Sequence, residues 1–171
     1  LSARIGSVAL HLWITIKTHA DFDDGLAYPS LARLAELVGA APNTIRKALA
    51  TLQAEHLLRV VKEPTAKTST RYVACERVDV RTEDGEVMCS IVVDYIPARM
   101  AERMAEIRGA VKAGRAPMPT AQVRIIPGAG FTYDAASSQF VREMPADKIV
   151  GADGKAGERA RGEFAKMRAI L

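Results

Sequence analysis

Four polar side chains lie within five consecutive residues of the first half of the chain: Asn43, Thr44, Arg46 and Lys47. Arginine can make paired hydrogen bonds to the edge of guanine, and asparagine can make them to adenine. Threonine and lysine are better suited to phosphate oxygens, which fix the position of a protein on a duplex without reading its sequence. These residue types favour recognition of double-stranded DNA, provided that one element presents them together.

A helix that begins at Pro42 would present them together, because proline is well tolerated at the first position of a helix. Apolar residues recur at i, i+3, i+4 and i+7, the spacing of one helical face: Ile45, Ala48, Leu49 and Leu52. Asn43 and Lys47 then point to the opposite face, flanked by Thr44 and Arg46. The spacing predicts a helix over residues 42–54 with a polar face free to meet DNA.

Two further helices are predicted before this one. Ile5, Val8, Leu12 and Ile16 form an apolar stripe in the first. The second begins after Ser30, a good N-cap, and ends at Gly39, since glycine adopts the left-handed C-cap conformation at least cost. Ser30 is also a candidate phosphate contact.

A β-hairpin is predicted after the third helix, from branched residues in 57–62, a polar segment with Pro64, and alternation in 69–74. Its polar side chains are candidate contacts to the DNA backbone: Lys62, Lys67, Thr68, Ser69 and Arg71. Residues 41–71 contain six basic and two acidic residues, and this excess equals the net charge of +4 of the whole chain. Positive charge is thus concentrated where the polar motif lies, as phosphate binding requires.

The run from Tyr28 to Gly39, followed by residues 43–49 and by Leu52, Leu57 and Leu58, resembles the winged helix-turn-helix of GntR-type regulators. It is also similar to the corresponding domain of plasmid and phage replication proteins. The resemblance implies that the third helix lies in the major groove and that the hairpin, the wing, contacts the flanking backbone or minor groove. It therefore also places Asn43, Thr44, Arg46 and Lys47 at DNA.

The chain departs from that family at two places. Ala41 and Pro42 stand where a capping serine and a basic residue are usual, which removes one phosphate contact and one base contact. His56 replaces the usual glycine between the third helix and the wing. The resemblance ends near Ala74, and neither of the usual effector domains of GntR-type regulators is recognised downstream.

The remaining sequence predicts a second hairpin over 77–82 and 86–93 with a turn at Glu83-Asp84-Gly85, and a helix from Pro97. Met100, Met104, Ile107 and Val111 form a narrow apolar seam on that helix, either core or a dimer interface. Short strands at 122–126 and 139–142 and a last helix around Phe164 follow. We expect an α+β protein, with a winged helix-turn-helix domain at 1–75 and a smaller α/β region of unknown fold at 76–171, a possible dimerisation or second DNA-contacting domain.

Catalysis and metal binding are not expected. Cys75 and Cys89 have neither CxxC spacing nor a neighbouring histidine, and no nucleophile, base and orienting residue can be assembled from the spacing. We expect no cofactor, no metal and no enzymatic activity. Two thiols that form no disulfide framework, with no export signal and no membrane-spanning run, favour the cytoplasm.

Three functions fit these observations. A transcriptional regulator of repressor type is the first, a plasmid or phage replication initiator that binds repeated origin sites is the second, and a protein-interaction module is the third. Double-stranded DNA is the expected partner, together with a possible homodimer and without a membrane.

Overall fold

The computed structural model describes residues 2–62, 70–134 and 139–142. Its architecture is mixed α+β, as predicted. The predicted wing residues Lys67, Thr68 and Ser69 and the helix expected around Phe164 lie outside the described residues. The described part divides into two compact units, one formed by residues up to Arg77 together with Val93–Ala101, the other by Val78–Val92 together with the described residues from Glu102 onward.

Four helices build most of the first unit: α1 (Ser2–Ile5), α2 (Ser7–Thr18), α3 (Leu31–Val38) and α4 (Pro42–Ala54). The first predicted helix is divided into α1 and α2, because Gly6 between them has a positive φ of 79°. The predicted ends of α3 and the predicted start of α4 are confirmed: Ser30 is the N-cap, Gly39 is left-handed, and Pro42 is the first residue of α4.

Three strands complete the first unit, and β3 (Arg71–Arg81) is the one that pairs with both others. The short strand β1 (Leu26–Ala27) pairs antiparallel with Val73 and Tyr72, and β2 (Leu58–Lys62) pairs antiparallel with residues 71–74. Because the same β3 residues pair with both strands, β1 and β2 lie on opposite edges of β3 here. The predicted hairpin of 57–62 with 69–74 is confirmed in its paired part.

The core of this unit lies between the helices and the small sheet. Fourteen buried apolar residues form one cluster that joins every element of the unit so far named. Leu12, Ile16, Leu34, Ile45 and Leu52 are fully buried, so each predicted apolar stripe faces this core. The polar face of α4 is left outside.

The prediction of separate strands at 69–74 and 77–82 is wrong, because β3 runs without a break through both. The Cys75 N–H donates to the Leu57 carbonyl over 2.9 Å, and the Tyr95 N–H donates to the Ala74 carbonyl over 2.8 Å. These bonds keep the expected break inside the sheet. The turn after β3 agrees with the prediction, since Gly85 has a φ of 86°.

In the second unit, β3 continues beside β4 (Val87–Asp94), and β5 (Val123–Pro127) lies on the far side of β4. After a single 3-10 turn at Pro97–Arg99, α5 (Met100–Lys112) follows, with Ile107 and Val111 of the predicted seam buried and the two methionines half-buried. The strands β6 (Phe131–Asp134) and β7 (Gln139–Arg142) form a separate antiparallel pair. The sequence did not predict β6.

Candidate nucleic-acid interface

Local sequence signals fix the beginnings of α3 and α4. The Ser30 Oγ accepts a hydrogen bond from the Arg33 N–H at 3.2 Å, which caps α3. Ala41 is the N-cap of α4 and has an extended backbone, but its side chain makes no capping bond. The first turn of α4 is therefore closed by no side chain, and Pro42 lacks one of the N–H groups that would need a partner.

The four polar residues singled out in the sequence lie together on one exposed face of α4. Asn43, Thr44, Arg46 and Lys47 are all exposed. On the opposite face Ile45, Ala48 and Leu52 are buried, and Leu49 is half-buried. The helix is thus held by its apolar face while the whole polar set remains accessible.

This exposed face is positively charged. The 13 residues of α4 include Arg46 and Lys47 and no acidic residue. Neither of these two side chains forms an ion pair with any part of the chain that the structure describes. The next carboxylate, Glu55, lies just beyond the helix and is paired with Arg4 and with Arg77. The two cations of α4 are consequently not neutralised by described carboxylates.

Ser30 has two functions open to it. Its Oγ accepts the capping bond from Arg33, which uses one acceptor site. A serine hydroxyl also carries one hydrogen that it can donate. Because Ser30 is exposed, this hydrogen can reach a phosphate oxygen without loss of the cap.

A shallow groove of about 330 Å³ borders the polar face of α4. One wall is formed by the junction of α1 and α2 from Ile5 to Ala9, and the other by α4 residues that include Thr44 and Lys47. The two residues expected to contact phosphates therefore stand at the rim of a concave surface.

The wing is described only at its base. Lys62 and Arg71 are at paired positions of β2 and β3, next to an irregularity between Val60 and Lys62. The predicted wing residues Lys67, Thr68 and Ser69 lie outside the described residues. The structure thus brings Lys62 and Arg71 to one end of the strand pair.

Tyr28 is a candidate that the sequence analysis did not select. Its side chain is 48% exposed, and the guanidinium carbon of Arg71 lies 5.6 Å from the centre of its ring. The contact depends on the pairing of β1 with β3, two segments more than 40 residues apart in the chain. No local sequence pattern indicates that pairing.

The turn between α4 and the wing keeps its geometry although His56 replaces glycine. His56 has a φ of 59°, the left-handed conformation that glycine would adopt there. The His56 N–H donates to the Gln53 carbonyl and the Leu57 N–H donates to the Leu52 carbonyl, the two bonds of a Schellman motif. The histidine at this position therefore makes the turn that a glycine would make.

Arg33 and Arg59, two arginines outside the predicted set of contact residues, are both paired. Arg33 forms an exposed ion pair with Glu36 at 2.8 Å, one turn along α3. Arg59 is paired with Asp94, whose side chain is only 3% exposed. Arg59 is thereby directed toward the interior of the first unit rather than toward a ligand.

The described residues show no feature of a metal site or of a membrane-spanning helix. The described side chains contain no group of three or more histidine, cysteine, aspartate or glutamate residues placed to hold a metal ion. Among the described helices, none has the length and apolar character needed to cross a membrane. Burial raises the pKa of the Cys89 thiol to about 12, with a further contribution from the Asp79 carboxylate. A thiol of that kind is a poor nucleophile.

Comparison with known proteins agrees with the geometry of α3 and α4. Residues 3–58 match a family model described as a helix-turn-helix domain. Neither the curated proteins nor the solved structures give a match. The finer resemblance to GntR-type regulators and to replication proteins stays a prediction. The N-terminal part of this chain is therefore similar to helix-turn-helix domains, and this similarity suggests that it binds DNA.

Proposed function

We propose that the protein recognises a specific sequence of double-stranded DNA and acts as a transcriptional regulator of repressor type. In this proposal α4 enters the major groove, and the protein acts in the cytoplasm by binding rather than by catalysis. The observation that carries the proposal is the exposed face of α4, which holds Asn43, Thr44, Arg46 and Lys47 without a carboxylate.

The side chains divide by their chemistry. Arg46 and Asn43 have the paired donors and acceptors that match guanine and adenine edges. Thr44, Lys47 and Ser30 suit phosphate oxygens, and the groove beside Thr44 and Lys47 allows a strand of the duplex to come close. The wing would contact the flanking backbone through five residues: Lys62, Lys67, Thr68, Ser69 and Arg71.

A replication initiator is the second candidate. The sequence after Ala74 resembles neither effector domain of the GntR type, which favours a protein that needs DNA binding without a small-molecule signal. Winged-helix proteins often bind two half-sites as dimers, with a spacing set by the geometry of the dimer. A homodimer formed through the second half of the chain is part of the proposal, as is the division of the chain near residue 75.

Footprinting of the full chain on the DNA that flanks its own gene tests the proposal. One palindromic site beside a promoter supports the regulator, whereas directly repeated sites at an origin support the initiator and contradict the regulator. A protein that fails to retain any duplex at low salt contradicts both, and would support a protein-interaction module.

The wing contributes a separate test. Lys67→Ala should weaken binding to specific and random duplexes alike and lower the salt slope by about one charge. An unchanged salt slope would show that the wing does not contact DNA.

A further inference from the structure

Tyr28 and Arg71 meet at the point where β1 and β3 stop pairing. In the antiparallel register, Leu26 is opposite Val73 and Ala27 is opposite Tyr72. The next position along each strand therefore sets Tyr28 opposite Arg71. The contact of 5.6 Å between the guanidinium carbon and the ring centre is a cation–π contact between direct cross-strand neighbours.

The tyrosine is fixed in place on both sides. Before it, β1 is held in the sheet, and Ala27 is fully buried. After it, Pro29 restricts the backbone of Tyr28 to extended conformations, and Ser30 caps α3. Because the backbone of Tyr28 has little freedom, little further conformational entropy is lost when its ring contacts Arg71. About half of Tyr28 is nevertheless exposed to solvent.

The arginine keeps its hydrogen-bonding capacity. Within the described residues Arg71 forms no ion pair, and its contact with Tyr28 brings the guanidinium carbon over the ring. A guanidinium held against an aromatic ring can still direct N–H donors at a phosphate. Arg71 is also paired in register with Lys62, so two basic residues occupy this end of the paired strands.

We propose that Tyr28 is a positioning residue that holds Arg71 in the orientation in which Arg71 binds a DNA phosphate. The inference rests on the proposed function and extends it to a residue outside the predicted set. Tyr28 restricts the Arg71 side chain before DNA binds, so that Arg71 loses less conformational entropy on binding. The ring is required for this role, and the hydroxyl is not.

A double-mutant cycle in the full chain tests the pair, with fluorescence anisotropy on a random-sequence DNA duplex at several salt concentrations. Arg71→Ala should weaken binding and lower the salt slope by about one charge. Tyr28→Leu should weaken binding about two- to fivefold in the otherwise native chain, the range of an exposed cation–π contact. In the Arg71→Ala background, Tyr28→Leu should cause no further loss.

Two control variants separate the ring from other effects. Tyr28→Phe keeps the ring and should bind as the native protein does. Phe22→Leu changes another exposed aromatic residue, 66% exposed, that lies in the turn before β1, and should leave binding unchanged. Circular dichroism melts establish that each variant is folded.

If Tyr28→Leu lowers the affinity for DNA by the same factor with and without Arg71→Ala, the inference is overturned. It is also overturned if Tyr28→Phe lowers the affinity as much as Tyr28→Leu does. No effect of either substitution would overturn it as well. If the native chain binds duplex and Arg46→Ala lowers its discrimination while the pair has no effect, the inference alone fails. If the native chain binds no duplex at low salt, the proposed function fails with it.

Discussion

His56 ends α4 in the same left-handed conformation in which Gly39 ends α3. The φ angles are 59° and 71°. At each position the residue itself and the residue after it donate the two hydrogen bonds of a Schellman motif. The two helices of the motif thus stop by one mechanism, although only one of them has the residue that adopts this conformation without cost.

We predict that His56→Gly stabilises the protein. Left-handed backbone costs a residue with a Cβ about 1–2 kcal/mol, and the greater freedom of glycine in the unfolded chain returns part of this. Because His56 is exposed, the substitution removes no core packing. A gain of up to about 1 kcal/mol in the free energy of unfolding is expected from urea titration.

Gly39→Ala is the matched control. No atom lies within 4 Å of a Cβ added at Gly39, so only the backbone conformation opposes the alanine. This variant should lose about 1 kcal/mol. If His56→Gly also destabilises the protein, the histidine side chain contributes something that its exposed position does not show.

The partly buried ion pair of Arg59 with Asp94 gives a second prediction. Arg59→Met leaves the Asp94 carboxylate, 3% exposed, without its cation, and such losses cost about 3–5 kcal/mol for fully buried pairs. Because 37% of the Arg59 side chain is exposed, water can replace part of the interaction, and a loss of about 2–3 kcal/mol is expected.

Arg33→Met removes the arginine of the exposed pair with Glu36 and should cost less than about 0.5 kcal/mol. Urea unfolding of both variants measures the difference. Equal losses of stability in the two variants would mean that the other contacts of Asp94 are sufficient to stabilise its carboxylate. One of these contacts is with the Cys75 thiol at 3.6 Å.

The third prediction concerns the segment that returns to the first unit. The Lys17 Nζ lies 4.3 Å from the Trp13 ring centre and 4.2 Å from that of Tyr95, and Val93 and Ile96 are buried. A fragment of residues 1–101 should therefore melt at a higher temperature than one of residues 1–77, as each buried aliphatic side chain contributes about 1.5–3 kcal/mol. Equal melting temperatures would show that residues 93–101 are dispensable.

Cys89 gives a prediction about alkaline pH. Burial raises the pKa of its thiol from the ordinary 9.0 to about 12, so above pH 9 the unfolded chain has lost a proton that the folded chain still holds. Stability therefore falls as pH rises from about 9 to about 12, with a slope that approaches 1.4 kcal/mol per pH unit.

Cys89→Ala removes this contribution. Urea unfolding between pH 8 and pH 11 should show a shallower decline for Cys89→Ala than for the native protein, because the variant lacks the Cys89 thiol. Parallel curves would contradict the raised pKa of the thiol.

The parts of the fold that the sequence predicted are those whose signals are local. Ser30, Gly39 and Pro42 each fix a helix end through their own backbone or side chain, so α3 and the start of α4 could be placed from nearby residues. The exposed face of α4 followed from its apolar stripe. These local signals also correspond to the part of the chain that matches the helix-turn-helix domain.

The parts that the sequence missed depend on distant partners. Residues 74 and 75 continue β3 because Tyr95 and Leu57 supply their hydrogen bonds, and neither is near them in the chain. The contact of Tyr28 with Arg71 likewise needs the register of β1 against β3. Four-residue β6 is stabilised by its pairing with β7 rather than by a pattern of its own.

The central claim is that α4 reads base edges, and Arg46→Ala tests it most directly. Competition between the footprinted site and a random duplex gives the ratio of the two affinities. Loss of a paired contact to a base should lower this ratio, which corresponds to a loss of about 1–3 kcal/mol in the free energy that separates specific from random binding. Arg33→Ala, which removes an exposed arginine from α3 instead, should leave the ratio unchanged. A ratio that survives Arg46→Ala would contradict the claim that Arg46 on α4 reads the sequence.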